Sequence, residues 1–428
     1  MSVEAIDDTI VQCTLSEPYS PFLVHLANTH FSILSKDYVT ESSESALTYE
    51  PMGSGPWTLG QYVSDEYLVL DANKHYWAGK PYLDNIVIRF PNTYENPVSA
   101  WHEGLIDAIP IGLHDYDDMM ELCPDCVVKK VRNVTWWQIM NCSTWPFDNK
   151  AVRQAVTCGI DTETVISTLY SDFYMPARGT LPPTMQGFSQ ELYDSYEFTY
   201  DPEKANAILD EAGIIDTDND GTRELDGRPL VFELSTFDVY EHTFVAGIWS
   251  DNLNDIGITM NQESYGVLEL IGKAEEGDFE MTCLGWISDI TDAENFFKTF
   301  ETDYISNLSR YSNETYDGLL EDYRATVDQS AQDALSNEMQ SILQEDCPVV
   351  WYYHTADAMA VHEWIHDFIF NPAGMQKDMF LGTWTSIRAV TMEAEPICVL
   401  ADGDASSMIS LHATYPNGQP LPDGTQVY

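Results

Sequence analysis

Helix and strand signals alternate from residue 147 onward, and this alternation restricts the chain to folds in which helices pack against a sheet. Asp148 stands where it can cap a helix carrying Ala151, Val152, Ala155 and Val156 on one face. Asp161 can cap the next, which carries Val165, Ile166 and Leu169. Asp201-Pro202-Glu203 combines a capping acid, a proline at the first helical position and a negative charge at the positive end of the dipole; Gly213 stops that helix. Leu230, Phe232 and Leu234 alternate with Val231, Glu233 and Ser235 and mark a strand. Val245, Trp249, Leu253 and Ile256 then trace a helix that Gly257 ends. A long helix over 328–345 is expected to bury Leu335, Met339, Ile342 and Leu343 before Pro348 forbids its continuation. The class this implies is α/β with mixed sheets.

The preceding block is rich in strand signals. Residues 11–15 read as a strand, and Pro21-Phe22-Leu23-Val24 opens an apolar segment that lacks partner strands. Runs at 57–63 and 67–71 flank Ser64-Asp65-Glu66 as a hairpin, and a third strand at 86–90 follows the turn at Gly79-Lys80-Pro81. At the other end, small residues dominate 401–407 and 415–425 is turn-rich, so a separate module is expected to begin near Pro396.

Charge removes whole classes of partner. Lys and Arg number 19 against 70 Asp and Glu, a net charge of −51, and a polyanion such as nucleic acid cannot be held without cations to displace its counterions. With 44% apolar and 12% aromatic residues the chain can still build cores, so it is not a disordered acidic tail. Its 428 residues favour more than one domain. Such acidity suits a halophilic, extracytoplasmic surface on which salt screens self-repulsion. Four N-x-[ST] triplets, at Asn133, Asn141, Asn307 and Asn313, are compatible with glycosylated surface loops. No stretch has the roughly 18 apolar residues needed to span a bilayer, and Met1-Ser2-Val3-Glu4 lacks the basic and apolar run of an export signal. Eight cysteines leave disulfide pairing open, and Cys123-Pro124-Asp125-Cys126 reads as a loop pair, free or locally bridged, because nearby acids disfavour a thiolate.

Two short motifs compete for a chemical role. His362-Glu363-Trp364-Ile365-His366 fits H-E-x-x-H, in which a helix presents two imidazoles to Zn²⁺ and Glu363 serves as general base, with Glu393 or Glu395 as a third ligand. Its surroundings read as strand and turn, which argues against a secreted zinc peptidase. Asp216, Asp218 and Asp220 before Gly221 copy the first half of a calcium loop, yet Gly227 occupies the place of the bidentate Glu. An acidic turn is the simpler reading.

Several segments in order resemble the extracytoplasmic solute-binding proteins of family 5, the peptide receptors of ABC importers. They are Pro51-Met52-Gly53-Ser54-Gly55-Pro56-Trp57, Asn73-Lys74-His75-Tyr76-Trp77 with Gly79-Lys80-Pro81-Tyr82-Leu83-Asp84, Glu103-Gly104-Leu105-Ile106-Asp107-Ala108, and Pro146-Phe147-Asp148-Asn149-Lys150-Ala151-Val152-Arg153. Tyr200-Asp201-Pro202-Glu203-Lys204-Ala205, Gly285-Trp286-Ile287-Ser288-Asp289 and Pro348-Val349-Val350-Trp351-Tyr352-Tyr353 complete the series, over residues 1 to about 390.

The resemblance implies a two-lobed, periplasmic-binding-protein-like (type II) α/β fold with an incomplete first lobe. It assigns 1–50 to the remnant of an extra subdomain of lobe I, 51–138 to lobe I, 139–357 to lobe II and 358–392 to a return segment. Beyond that resemblance, residues 393–428 read as a linker and the start of an immunoglobulin-like module, since Leu411 to Tyr428 resembles the opening of a bacterial immunoglobulin-like domain. Crossings between lobes are expected near 136–141 and 353–359. It further implies a non-catalytic receptor that takes short peptides in an interlobe cleft and delivers them to a membrane permease, as a monomer, without a cofactor. In this frame Asp289 holds the peptide's α-ammonium and Trp286 stands beside it, a desolvated, hydrogen-bonded ion pair being stronger than an exposed one. The same family includes receptors for nickel chelates and sugars, and a surface sensor or adhesion protein that kept only the scaffold remains a further reading.

Overall fold

The computed structural model describes residues 1–90, 96–170 and 173–369, and beyond these 371, 380, 382–385, 389–395 and 408–414. The chain divides into two compact units: Met1–Phe31 with Val131–Ala356, and Ser32–Lys130 with Asp357–Tyr428.

In the first unit the helix and strand alternation builds a mixed sheet. Its strands lie in the order Thr259–Tyr265, Val231–Phe237, Met281–Ile287, Val127–Met140 and Val349–Val361, the last two belonging to this unit over 131–140 and 349–356, with Met175–Pro176 paired to the last. Val231–Phe237 is parallel to both neighbours, Val231 opposite Thr259 and Leu234 opposite Met281. Met281–Ile287 is antiparallel to Val127–Met140, Gly285 facing Trp136 and Ile287 facing Val134. Helices Lys150–Gly159, Tyr240–Asn254, Glu314–Ala325 and Gln329–Asp346 bury their apolar stripes. One core cluster joins Trp137 and Trp351 of the sheet to Phe296, Phe297, Phe300, Tyr316, Tyr323, Met339 and Leu343. Fully burying one large apolar side chain contributes about 1.5–3 kcal/mol, and Phe147, Phe232, Leu253 and Ile258 are buried elsewhere in the same unit.

Sequence signals and structure agree closely at helix starts. The Asp201 side chain accepts from the Lys204 N–H at 2.9 Å and begins Pro202–Glu211, which buries Ala205 and Leu209 before Gly213 takes a left-handed φ of +72°. Asp161 accepts from the Thr164 N–H at 2.9 Å. One cap moves: Asn149, not Asp148, receives the Ala151 N–H of Lys150–Gly159. The apolar segment after Pro21 is a short helix, Phe22–Leu26.

The second unit holds the expected hairpin and third strand: Trp57–Val63, Tyr67–Ala72 and Asn85–Arg89 in antiparallel order, with Asp65 at a φ of +61° in the turn. In the same unit Ala108–Ile111 pairs with Ala358–Val361, and Cys123 is bridged to Cys126. The unit division differs from the sequence grouping of 1–50, because Met1–Phe31 clusters with the first unit. The Ser20 N–H donates to the Arg324 carbonyl at 2.7 Å, and Gln332 donates to the Ser20 hydroxyl at 2.7 Å. The expected immunoglobulin-like start at 393–428 lies mostly outside the described residues; Met408–Thr414, inside it, pairs antiparallel with Ala389–Glu395, which begins before it.

The glycosylation reading does not survive folding. Asn133, Asn141 and Asn307 are each at most 2% exposed. Their amides donate to the carbonyls of Ile290, of Gly277 and Phe279, and of Glu301 and Tyr311 respectively. Asn313 is the N-cap of Glu314–Ala325. Packing recruited these asparagines because a buried amide must satisfy its donors. No described helix is long and apolar enough to cross a membrane.

Candidate functional site

Three parallel strands of the first unit, Val231–Phe237, Thr259–Tyr265 and Met281–Ile287, end at one edge of the sheet, and open α/β sheets present ligand sites at such carboxyl edges. Asp289 stands just past the last of these strands. It is exposed and makes no hydrogen bond or ion pair with any described residue, so its carboxylate is free to accept from an incoming donor.

Trp286, three residues earlier, behaves differently. Its ring is half-buried against the aromatic core and its Nε1–H donates to Asn295 Oδ1 at 2.9 Å. The indole named by the sequence is thus tied to the helix that follows the loop. The opposite face of the strand carries another indole: a Cβ at Gly285 would lie 2.9 Å from ring carbons of Trp136. Only a glycine lets that ring lie against the strand backbone. Trp136 continues into an aromatic group with Phe237, His242 and Tyr353, ring centroids 6.1 to 6.4 Å away, and Tyr353 stacks on Tyr174 at 4.8 Å. Sequence reasoning missed this group. Its one legible trace was Gly285 inside a strand pattern.

The 288–294 loop that carries Asp289 is pinned along its length. The Ser288 N–H donates to the Asn133 carbonyl at 2.9 Å, the Ser288 hydroxyl to the Ile290 carbonyl at 2.7 Å, and the Gln186 N–H to the Thr291 carbonyl at 3.0 Å. Asp292, 2% exposed, accepts from the Glu294 N–H at 2.8 Å, and burial pushes its pKa above the ordinary carboxylate value. Glu294, 3% exposed, accepts from Arg324 Nε at 3.0 Å and Nη2 at 2.8 Å. Arg324 also grips Glu301 at 2.7 and 2.9 Å. Burial opposes its charge, but the hydrogen bonds with Glu301 and Glu294 outweigh that and hold its pKa up. Both Glu294 bonds reach one oxygen, Oε1, whereas Glu301 is held through both of its oxygens, the bidentate, charge-assisted geometry that is strongest.

The competing motifs fold into other roles. His362 to His366 run through a turn into the Ile365–His366 strand, so no helix sets the two imidazoles on one face. The His362 ring is stacked between Trp101 at 4.1 Å and Trp364 at 3.9 Å, and its Nε2 meets the Trp101 carbonyl at 2.8 Å, which makes it a packing residue. Of the third ligands considered, Glu393 and Glu395 are described only in their backbone strand. Asp216, Asp218 and Asp220 do come together, joined by Glu224, which the sequence reading did not name; one carboxylate oxygen of each lies within 4.8 Å of the others. Those carboxylates accept the loop's own N–H groups, from Gly221, Asp220, Thr222 and Thr217 respectively, as an acid-capped turn does.

The likeness to known proteins agrees with the two-unit α/β architecture. The dipeptide-binding protein of Escherichia coli is 26% identical over 384 residues, 87% of this chain and 69% of that protein. Heme-binding protein A of Haemophilus influenzae is 26% identical over 392 residues, 89% of this chain and 69% of that one. The chain therefore spans about two thirds of these relatives' length. Among solved structures, the periplasmic binding protein DppA from Helicobacter pylori in complex with peptide STSA superposes with a TM-score of 0.65 at 26% identity, over 90% of this chain and 74% of that one. Residues 1–307 match the bacterial extracellular solute-binding proteins, family 5 Middle. With nearly three quarters of its length inside that match, the chain belongs to the family 5 bacterial extracellular solute-binding proteins, which bind solutes and do not catalyse reactions.

Proposed function

We propose that this chain is the ligand-binding component of an ABC importer, that it captures short peptides outside the cytoplasm, and that it hands them to a membrane permease. Asp289 receives the peptide's α-ammonium. The observation that carries this reading is an exposed, unpaired carboxylate at the carboxyl edge of three parallel strands, on a loop that is pinned on both sides. A charged acceptor held on a fixed loop loses little entropy when an ammonium arrives, and a charge-assisted hydrogen bond contributes about 1.5–3 kcal/mol. The peptide-binding relatives support the choice of ligand class. The net charge of −51 supports a setting of high ionic strength.

Calorimetric titration of the chain with trialanine and with N-acetyl-trialanine tests the assignment. Trialanine is expected to bind about 10- to 100-fold more tightly, and Asp289→Asn to abolish that preference. Binding of hemin or of a nickel–histidine chelate, with no heat from any tripeptide, would sink it.

A further inference from the structure

We propose that Arg324 is a positioning residue for the ammonium site: by clamping Glu294 and Glu301 at once, it holds the 288–294 loop in the shape that aims Asp289. This rests on the role given to Asp289 above. Arg324 touches neither Asp289 nor the carboxyl edge of the strands, so it acts through the loop. Its guanidinium makes four hydrogen bonds of 2.7 to 3.0 Å, two to Glu294 at the start of the Glu294–Phe297 helix and two to Glu301 just beyond the following turn of helix.

The neighbouring groups make the clamp directional. The second Glu294 oxygen is buried without a hydrogen-bond partner, and faces His25 Nε2 at 4.0 Å and Lys298 Nζ at 3.9 Å. Glu294 therefore depends on Arg324 for its close partner. The residue before Arg324 reaches the same loop, since the Tyr323 hydroxyl lies 3.5 Å from Asp292 Oδ1. At the other end of the loop, Trp286 is bound to Asn295. Asp289 thus sits on a short span fixed at the strand end by Ser288 and at the helix end by Glu294. A loosened helix end would let the span move and would raise the entropy lost when Asp289 engages a ligand.

Removing Arg324 alone leaves the buried Glu294 carboxylate without its hydrogen-bonded cation, with only the more distant Lys298 and His25, which is destabilising in itself. The decisive variant is therefore the neutral pair Arg324→Gln with Glu294→Gln, accompanied by Arg324→Lys, which keeps the charge but cannot fork. The readout is the ratio of affinities for trialanine and N-acetyl-trialanine, which a purely structural loss would not change selectively. The neutral pair is expected to lose most of the free-amine preference, approaching the Asp289→Asn value. The lysine variant, which also serves if the pair does not fold, is expected to fall between the pair and wild type. Preference lost in Asp289→Asn but retained at the wild-type ratio in the Arg324 variants overturns this inference alone. A wild-type chain with no free-amine preference overturns the ammonium reading and this inference with it.

Discussion

His354 shows what burial does to a single titratable group. Its side chain is completely enclosed, and its Nδ1 lies 2.9 Å from the Thr135 hydroxyl, whose own proton goes to the Thr180 carbonyl at 2.9 Å. Nδ1 must therefore carry the hydrogen, and Nε2, buried without a hydrogen-bond partner, has no acceptor for a second one. Burial pushes its pKa down to about 3, although the Val134 backbone favours the charged form. The unfolded chain takes up this proton near pH 6.5 and the folded chain resists doing so. Stability is thus unaffected by His354 above that pH and falls as pH drops below it, by about 1.4 kcal/mol per pH unit. Burial raises the pKa of Asp292 and Glu280, which works in the opposite direction as pH falls through their folded values. Denaturant midpoints of wild type and His354→Asn measured from pH 7 to 5 isolate the histidine: the variant is expected to show the shallower acid loss. Equal slopes would contradict the account. The sequence carried no signal for this residue, because a histidine in an apolar run reads the same whether enclosed or exposed.

Among elements, the Met281–Ile287 strand is constrained by the indole packed on its backbone. Gly285→Ala is expected to cost about 1–3 kcal/mol, since the new methyl meets the Trp136 ring at 2.9 Å and that ring is packed among other aromatics. In a Trp136→Ala background the same change should be nearly free, and a double-mutant cycle by thermal denaturation tests this; additive losses would show that the ring is not the cause. Helix ends such as Asp201 and Asp161 were legible because a cap is a local contract between one side chain and the next few N–H groups. The helix Phe22–Leu26 was not, since its five residues make little more than one turn and cannot repeat an apolar period. The helix Gln329–Asp346 was legible in extent but less so in its buried face. Gln332, Ser336 and Gln340 are buried along with Met339 and Leu343 because polar contacts, such as those of Ser336 and Gln340 with the Gly187 carbonyl, accept them there.

The whole molecule is dominated by its charge. In the first unit Lys150, Arg178, Lys204, Arg223, Lys273 and Arg324 each already face a carboxylate, leaving most acids unopposed. With a net charge of −51, self-repulsion in the folded state exceeds that in the expanded chain, and salt should relieve it. The melting temperature is expected to rise from 0.05 to 1 M NaCl; one that stays level or falls would contradict the argument. The peptide-receptor reading came from an ordered set of short segments, each weak by itself. The exclusion of nucleic acid came from composition alone.

By itself, the sequence determined the α/β class, the caps and stops of the main helices, the hairpin of the second unit and the acid at the carboxyl end of a strand. All of these are local in the chain or sums over it. Only the tertiary structure decided which asparagines are enclosed, that Trp136 and not Trp286 lies against Gly285, that Glu224 joins the acidic turn, and that Arg324 grips Glu294 from 30 residues downstream. Those pairings join residues far apart in sequence, and no periodicity or spacing encodes a contact that exists only once the sheet has formed.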